Sequence, residues 1–126
     1  MRRILSLSRI LFLTPTLMAS EAVLNLNESN FQTEISSSTV PVIVDFWAEW
    51  CGPCRMLTPI LEQLAVEKGA AVKVAKVNVD ENPHLAAQYG VRSIPMLLFI
   101  KDGEVKDTVV GVQSKDALSR KLDALA

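Results

Sequence analysis

The chain has 126 residues, a formal net charge of −1 at pH 7 and a hydrophobic fraction of 49%, values typical of one packed globular domain. These values exclude a second domain with its own core, a disordered chain and a collagen-like repeat. No dense block of Lys and Arg occurs along the chain, so we expect no nucleic-acid partner.

The first twenty residues differ in composition from the rest of the chain. They contain Arg2, Arg3 and Arg9 but no acidic residue, which is typical of a presequence rather than of a folded element. Arg9 leaves an uncharged run only about half as long as the roughly 20 apolar residues of a spanning helix. We therefore expect no membrane anchor in this segment.

Three origins remain open for this segment. It fits a secretory signal, it fits an organellar transit peptide, and synthesis could instead start at Met18. In each case we expect residues 1–21 to form an N-terminal extension, as a targeting peptide or as sequence upstream of the true start. Residues 22–126 then form the domain.

The domain is expected to begin with a short strand and a short helix. Residues 22–26 alternate weakly between apolar and polar side chains, which indicates a strand. Asn27 is expected to cap a helix that buries Phe31 and Ile35, one turn apart. Residues 36–39 are expected to end that helix.

The next two elements are predicted from stronger patterns. Residues 42–47 are apolar on both alternating faces, as in a central strand that helices cover on each side. Residues 54–68 carry apolar side chains at spacings of three and four, so they predict an amphipathic helix. Gly69 is expected to close this helix.

A third strand and a short helix follow. Residues 72–79 are rich in Val and alternate, which favours a strand. Asn82 and Pro83 supply the cap and the first turn of a helix that is expected to end at Gly90.

The last elements are a hairpin and a helix. Residues 96–100 and 104–110 flank Asp102-Gly103, a turn signal that predicts two antiparallel strands. Ser114 is expected to cap the final helix. The element order β-α-β-α-β-α-β-β-α predicts an α/β fold with a mixed central sheet and helices on both faces.

The only two cysteines of the chain, Cys51 and Cys54, lie between the central strand and the long helix. The free N–H groups and partial positive charge of a helix start favour a thiolate, so the pKa of Cys51 should be lowered. Gly52 and Pro53 suit the entry to a helix. Sulfurs at positions i and i+3 can meet at disulfide distance, which predicts a reversible dithiol.

Two structural alternatives compete with the dithiol. One is half of a zinc site, but beyond the cysteines the chain offers only His84 and carboxylates as ligands. The other is a structural disulfide, whose short loop would remove little unfolded-chain entropy. We expect no metal site.

Asp45 lies in the middle of the central strand among apolar residues. Desolvation there should raise its pKa and make it a candidate base for Cys54. The alternative is a carboxylate satisfied by structural hydrogen bonds or by pairing with Lys76. Lys76 is expected to tune Asp45 rather than to react itself.

The segment Asp45-Phe-Trp-Ala-Glu-Trp-Cys-Gly-Pro-Cys54 resembles the thioredoxin family. Lys76, Ile94-Pro95 and Gly111 add to the resemblance, which runs from about residue 23 to the C-terminus. It implies the thioredoxin fold and protein disulfide reductase activity, with Cys51 as nucleophile and Cys54 as resolving thiol. It also favours Asp45 as the base.

The resemblance further implies a substrate groove beside the two sulfurs. Pro95 is expected to be cis, with the Ile94 backbone pairing with an extended substrate peptide. Trp47 is expected to pack behind the groove rather than to contact substrate. Besides Ile94 and Pro95, the residues expected to contact substrate are Trp50, Gly52, Pro53 and Gly111.

Two positions depart from the commonest family pattern. Met96 stands where Thr usually follows the cis-proline, and Ser93 stands where Gly is frequent. Both substitutions leave the dithiol chemistry intact and are expected to bear on groove shape and choice of client.

The resemblance also implies a monomer without bound cofactor, which acts on client proteins that contain disulfides. Reducing equivalents are expected from NADPH through a thioredoxin reductase, a flavoprotein. The expected location is a reducing compartment: the cytoplasm first, the mitochondrial matrix if residues 1–20 are a transit peptide, and export as the less favoured alternative. Export would favour an oxidase or isomerase, and a binding or chaperone-like subunit without turnover is a further alternative.

Overall fold

The computed structural model describes residues 19–126. The predictions for the N-terminal segment that fall on residues 1–18, including a start at Met18, lie outside this range. A short 3-10 helix at Ala19–Ala22 precedes the sheet. Within the described range, none of the helices combines the length and the apolar character that crossing a membrane requires.

Five strands form one mixed sheet in the spatial order β1-β3-β2-β4-β5. Strands β1, β3 and β2 run parallel, whereas β4 runs antiparallel to both β2 and β5. The predicted mixed sheet and C-terminal hairpin are therefore confirmed. The strands are β1 (Leu24–Asn25), β2 (Val42–Trp47), β3 (Lys73–Asn78), β4 (Met96–Lys101) and β5 (Glu104–Val110).

Four α-helices connect and follow these strands in the predicted order. Another short 3-10 helix, Gly69–Ala71, lies between the long helix and β3. The α-helices are α1 (Phe31–Ser37), α2 (Gly52–Lys68), α3 (Pro83–Gln88) and α4 (Lys115–Leu125).

Local signals set several of these boundaries. Gly69 ends α2 with a positive φ of 53°, and its N–H donates to the Ala65 carbonyl. Asp102 and Gly103 both have positive φ, 55° and 77°, as the two central residues of a tight hairpin turn require. Ser114 caps α4 by accepting a hydrogen bond from the Ala117 N–H at 3.1 Å.

The predicted cap of α1 is wrong. The N-cap residue is Asn30, whose side chain makes no capping bond. Asn27 lies outside the helix, where its side-chain oxygen accepts from the N–H groups of Ser29 and Asn30 at 2.9 and 3.1 Å. Asn27 therefore stabilises a turn of the Asx type ahead of the helix.

Two predictions about α2 and α3 also need correction. Helix α2 begins at Gly52, two residues before the predicted start. Helix α3 ends at Gln88, ahead of Gly90. Asn82 holds the N-cap position of α3, but its side chain accepts from the Glu28 N–H at 3.0 Å and donates to the Asn78 carbonyl at 3.0 Å.

Alternating side chains of β2 divide the core between the two faces of the sheet. On the α1/α3 face, Val44 and Phe46 pack with Phe31 of α1 and Leu85 of α3. On the α2/α4 face, Ile43 packs with side chains of both helices, which are Leu57, Leu61, Leu64, Leu118 and Leu122. The buried central strand with helices on both sides is confirmed.

Candidate active site

Cys51 and Cys54 lie where the chain leaves β2 and enters α2. Cys51 is the N-cap residue of α2, and the Cys54 backbone N–H donates to the Cys51 Sγ at 3.2 Å. The two residues form a disulfide with a Cα–Cα distance of 5.3 Å, within the usual range for such bonds. The first sulfur therefore lies at the helix start, as predicted.

The disulfide is largely shielded from solvent. Cys51 exposes 4% of its surface and Cys54 exposes 1%. Both pack against Ala48, with Ile94 and Trp47 at the edge of this cluster. In contrast, the intervening Gly52 and Pro53 are exposed, so the chain between the cysteines faces the surrounding solution.

The Ile94-Pro95 bond is cis, as the family resemblance implied. The carbonyl oxygen of Ile94 lies 3.8 Å from the Cys51 Sγ. The Pro95 carbonyl accepts a hydrogen bond of 2.8 Å from the N–H of Gly111, whose φ of 99° favours glycine. The structure thus brings Ile94, Pro95 and Gly111 together beside Cys51.

The two tryptophans occupy different environments. Trp50, immediately before Cys51, exposes 69% of its surface, and its Nε1 donates to the Asp80 carboxylate at 2.9 Å. Trp47 is partly buried and packs against the cluster of Ala48 and the two cysteines, which agrees with the expected packing role. The Lys76 ammonium lies 4.1 Å from the centre of the Trp47 ring, in cation–π contact.

Asp45 is fully buried in β2, directly opposite Lys76 of β3 in the register. Neither carboxylate oxygen has a hydrogen-bond partner within residues 19–126, which contradicts the alternative of a hydrogen-bonded structural acid. Burial raises the pKa of Asp45 from 3.8 to about 7, although the charge of Lys76 acts to lower it. The group can therefore exchange a proton near neutral pH.

The strand alternation also fixes where Asp45 points. It lies on the same face of β2 as Ile43, which packs against Leu57 and Leu61 of α2. The carboxyl group therefore faces the helix that carries Cys54. The dithiol lies at the start of that same helix.

A family model described as Thioredoxin matches residues 22–124. The chain belongs to the thioredoxin family. Family members catalyse thiol–disulfide exchange, so this protein is a protein disulfide oxidoreductase with the redox-active pair Cys51 and Cys54. The α/β thioredoxin fold expected from the sequence is confirmed.

Curated relatives support the same assignment. The chain is 52% identical over 94 residues to the thioredoxin of Rickettsia felis, covering 75% of this chain and 90% of that protein. It is 54% identical over 96 residues to the thioredoxin of Chlorobaculum thiosulfatiphilum, covering 76% and 89%. It is 49% identical over 105 residues to the thioredoxin of Acidithiobacillus ferridurans, covering 83% and 97%.

The described part of the chain contains no cluster of three or more His, Cys, Asp or Glu side chains that could hold a metal ion. The two sulfurs bond to each other. His84 is exposed, and its backbone N–H donates to the Glu28 carboxylate at 2.8 Å. The family requires no bound cofactor for thiol–disulfide exchange.

The two positions that depart from the family pattern differ in exposure. Met96 is buried on the α1/α3 face with Phe46 and Leu98. Ser93 is exposed. Only Ser93 therefore presents its side chain at the surface, and an effect of Met96 on groove shape would have to act through the core.

Sequence reasoning missed two residues that contact the loop before Cys51. Asp80 accepts from the Trp50 indole, and Arg55 donates twice to the Glu49 carbonyl. The Asp80 contact joins residues thirty positions apart, which no local pattern signals. Arg55 could have been noticed in the sequence, because a cation in the first turn of a helix is unfavourable and this suggests a specific contact.

Proposed function

We propose that the protein reduces disulfides of client proteins. The Cys51 thiolate attacks one sulfur of the client disulfide, which breaks that bond and releases the second client sulfur as a thiolate that takes up a proton. The observation that carries the proposal is the hydrogen bond of 3.2 Å from the Cys54 N–H to the Cys51 sulfur at the start of α2. Such a donor stabilises a thiolate more than a thiol.

The second step resolves the mixed disulfide. Cys54 transfers its proton toward Asp45 and attacks the Cys51 sulfur, so the client leaves as a dithiol and the Cys51–Cys54 disulfide forms. Asp45 suits this role because its pKa of about 7 lets it accept and release a proton near neutral pH. Lys76 tunes Asp45 by its charge and does not react.

The client binds as an extended peptide beside the sulfurs. The Ile94 backbone, next to the cis Pro95, pairs with it, since its carbonyl lies 3.8 Å from the Cys51 Sγ. Trp50 offers the largest exposed apolar surface next to Cys51. Further contacts come from Gly52, Pro53 and Gly111.

The oxidised protein is returned to the dithiol by NADPH through a thioredoxin reductase, and the protein works as a monomer. A reducing compartment suits this cycle, because the Cys51–Cys54 pair donates electrons to clients only in its dithiol form and such a compartment keeps thiols reduced. We place the protein in the cytoplasm, or in the mitochondrial matrix if residues 1–20 are a transit peptide. The match of the family model to residues 22–124 supports a domain at 22–126 preceded by an extension at 1–21.

Direction of electron flow is tested by the reduction potential of the Cys51–Cys54 pair. We expect a value close to the one known for thioredoxin, about −270 mV, and reduction of insulin disulfides with NADPH and thioredoxin reductase. A potential near about −180 mV, typical of a disulfide isomerase, would contradict the reductase assignment. A Cys51→Ser, Cys54→Ser double variant supplies the control for background reduction.

A further inference from the structure

Arg55 occupies an electrostatically unfavourable place. It lies in the first turn of α2, where the helix dipole disfavours a cation and where no acidic residue compensates it. Its side chain leaves the helix and reaches back to Glu49. There the Nε and Nη2 groups both donate to the Glu49 carbonyl oxygen, at 3.1 and 2.8 Å.

The planar guanidinium group makes this contact specific for arginine. Its neighbouring N–H groups form a rigid fork, whereas a lysine ammonium is a point charge on a flexible stem. The Arg55 backbone N–H also donates to the Cys51 carbonyl, at 3.3 Å. One residue therefore restrains the chain on both sides of Trp50.

The segment 48–51 is held at further points. The Cys51 N–H donates to the Ala48 carbonyl at 3.2 Å. The Trp50 indole is tethered to Asp80, whose own N–H donates to the Asn78 side chain at 2.9 Å. Trp50 is thus the most exposed large side chain of this region, yet both its ring and the carbonyl before it are fixed.

We propose that Arg55 is a positioning residue, which fixes the Glu49 carbonyl and thereby holds Trp50 in the orientation that binds clients. This inference rests on the proposed contact between Trp50 and the client. Pre-ordering an exposed aromatic side chain reduces the entropy that is lost on binding, so Arg55 acts on client affinity rather than on sulfur chemistry.

The test compares Arg55→Lys, which keeps the charge but loses the fork, with Arg55→Gln, which loses both. In insulin reduction we expect both variants to raise KM by roughly three- to tenfold at unchanged kcat. A Trp47→Phe background leaves Trp50 as the single tryptophan, since the chain has two. In that background we expect lower fluorescence anisotropy of Trp50 in both oxidised variants.

Arg120 provides the matched control, because it is an exposed arginine on α4 whose side chain pairs with Asp116. Arg120→Lys and Arg120→Gln should leave KM and the Trp50 anisotropy unchanged. If Arg55→Lys behaves like the parent protein in both measurements while Arg55→Gln does not, charge alone acts and the positioning role is overturned. Lowered kcat with unchanged KM would overturn it as well.

Failure of the proposed function gives a different result. If the parent protein with Arg55 intact does not reduce insulin, the reductase assignment is wrong. Unchanged Trp50 anisotropy in Arg55→Lys, measured without any client, contradicts only the positioning role of Arg55. The reductase assignment does not depend on that measurement.

Discussion

The two faces of the sheet bury similar apolar layers but differ in one group. On the α1/α3 face, the two buried polar side chains, Ser38 and Asn82, lie at the ends of α1 and α3, and both make hydrogen bonds. On the α2/α4 face, strand β2 buries Asp45, whose carboxylate oxygens have no hydrogen-bond partner within the described residues. The comparison indicates that the second face gives up stability at Asp45, a cost that the proposed role of this residue as the base for Cys54 would explain.

The largest effect should come from the reactive end of the α2/α4 face. We expect Cys51→Ser to slow insulin reduction by more than about a thousandfold, because the variant lacks the attacking thiolate. Cys54→Ser retains the nucleophile and should instead accumulate the mixed disulfide with the client, visible by mass spectrometry. Substantial insulin reduction by Cys51→Ser would contradict the role of Cys51 as nucleophile, whereas full cellular activity of both variants would favour the binding-subunit alternative.

Asp45→Asn should show how much stability the buried acid removes. Because folding raises the pKa of Asp45 from 3.8 to about 7, the folded protein holds this proton more tightly than the unfolded chain. As pH rises from about 4 to 7 the unfolded carboxyl ionises first, which lowers the free energy of unfolding by up to about 4 kcal/mol. Asp45→Asn should therefore be more stable by up to about 4 kcal/mol at about pH 8.

The gain from Asp45→Asn should vanish below about pH 4, where both states of the parent protein are protonated. Denaturant unfolding of the oxidised proteins at both pH values measures the difference. Asp107→Asn is the control: Lys121 lowers the pKa of this exposed acid by hydrogen bonding, so its effect should be small and of opposite sign. A gain for Asp45→Asn that is equal at both pH values would contradict the pKa assignment.

On the α1/α3 face, a core truncation should affect stability without affecting chemistry. Leu98 is buried in β4 on this face. We expect Leu98→Ala to lower the free energy of unfolding by about 3 kcal/mol, because it removes buried methyl groups and leaves a cavity. The rate of insulin reduction at low temperature should stay within about twofold of that of the parent protein. A larger loss would contradict the assignment of stability to one face and chemistry to the other.

The smallest effect is expected at Trp50. Because its ring is 69% exposed, Trp50→Ala should hardly change the free energy of unfolding. We expect a KM for insulin about tenfold higher at unchanged kcat, as for an aromatic residue that contacts the client. An unchanged KM would remove Trp50 from the proposed groove.

Much of the fold could be predicted because its signals are local. Strand β2 matches its predicted bounds, since an apolar run on both faces has few other solutions. The Ser114 cap and the Asp102-Gly103 turn follow from side chains that act within three or four residues. The place of Cys51 near a helix start could also be predicted, because the strand pattern ends before this residue and the helix pattern begins after it.

What could not be predicted depends on distant partners. Asn27 and Asn30 have the same cap-forming side chain, and only the path of the loop decides which one precedes α1. Trp50 meets Asp80 because β2 and β3 pair in one particular register. The groove residues, including the cis Pro95, were expected only from the resemblance to the family. The spacing of residues along the chain does not indicate them.

The thiol pKa of Cys51 tests most directly whether the start of α2 prepares this residue as the nucleophile. It can be measured from the pH dependence of iodoacetamide alkylation of the reduced protein, with the modified cysteine identified by mass spectrometry. We predict a pKa clearly below that of free cysteine, about 8.5, and faster alkylation of Cys51 than of Cys54. A Cys51 pKa at or above the free value would contradict the proposed role of the helix start.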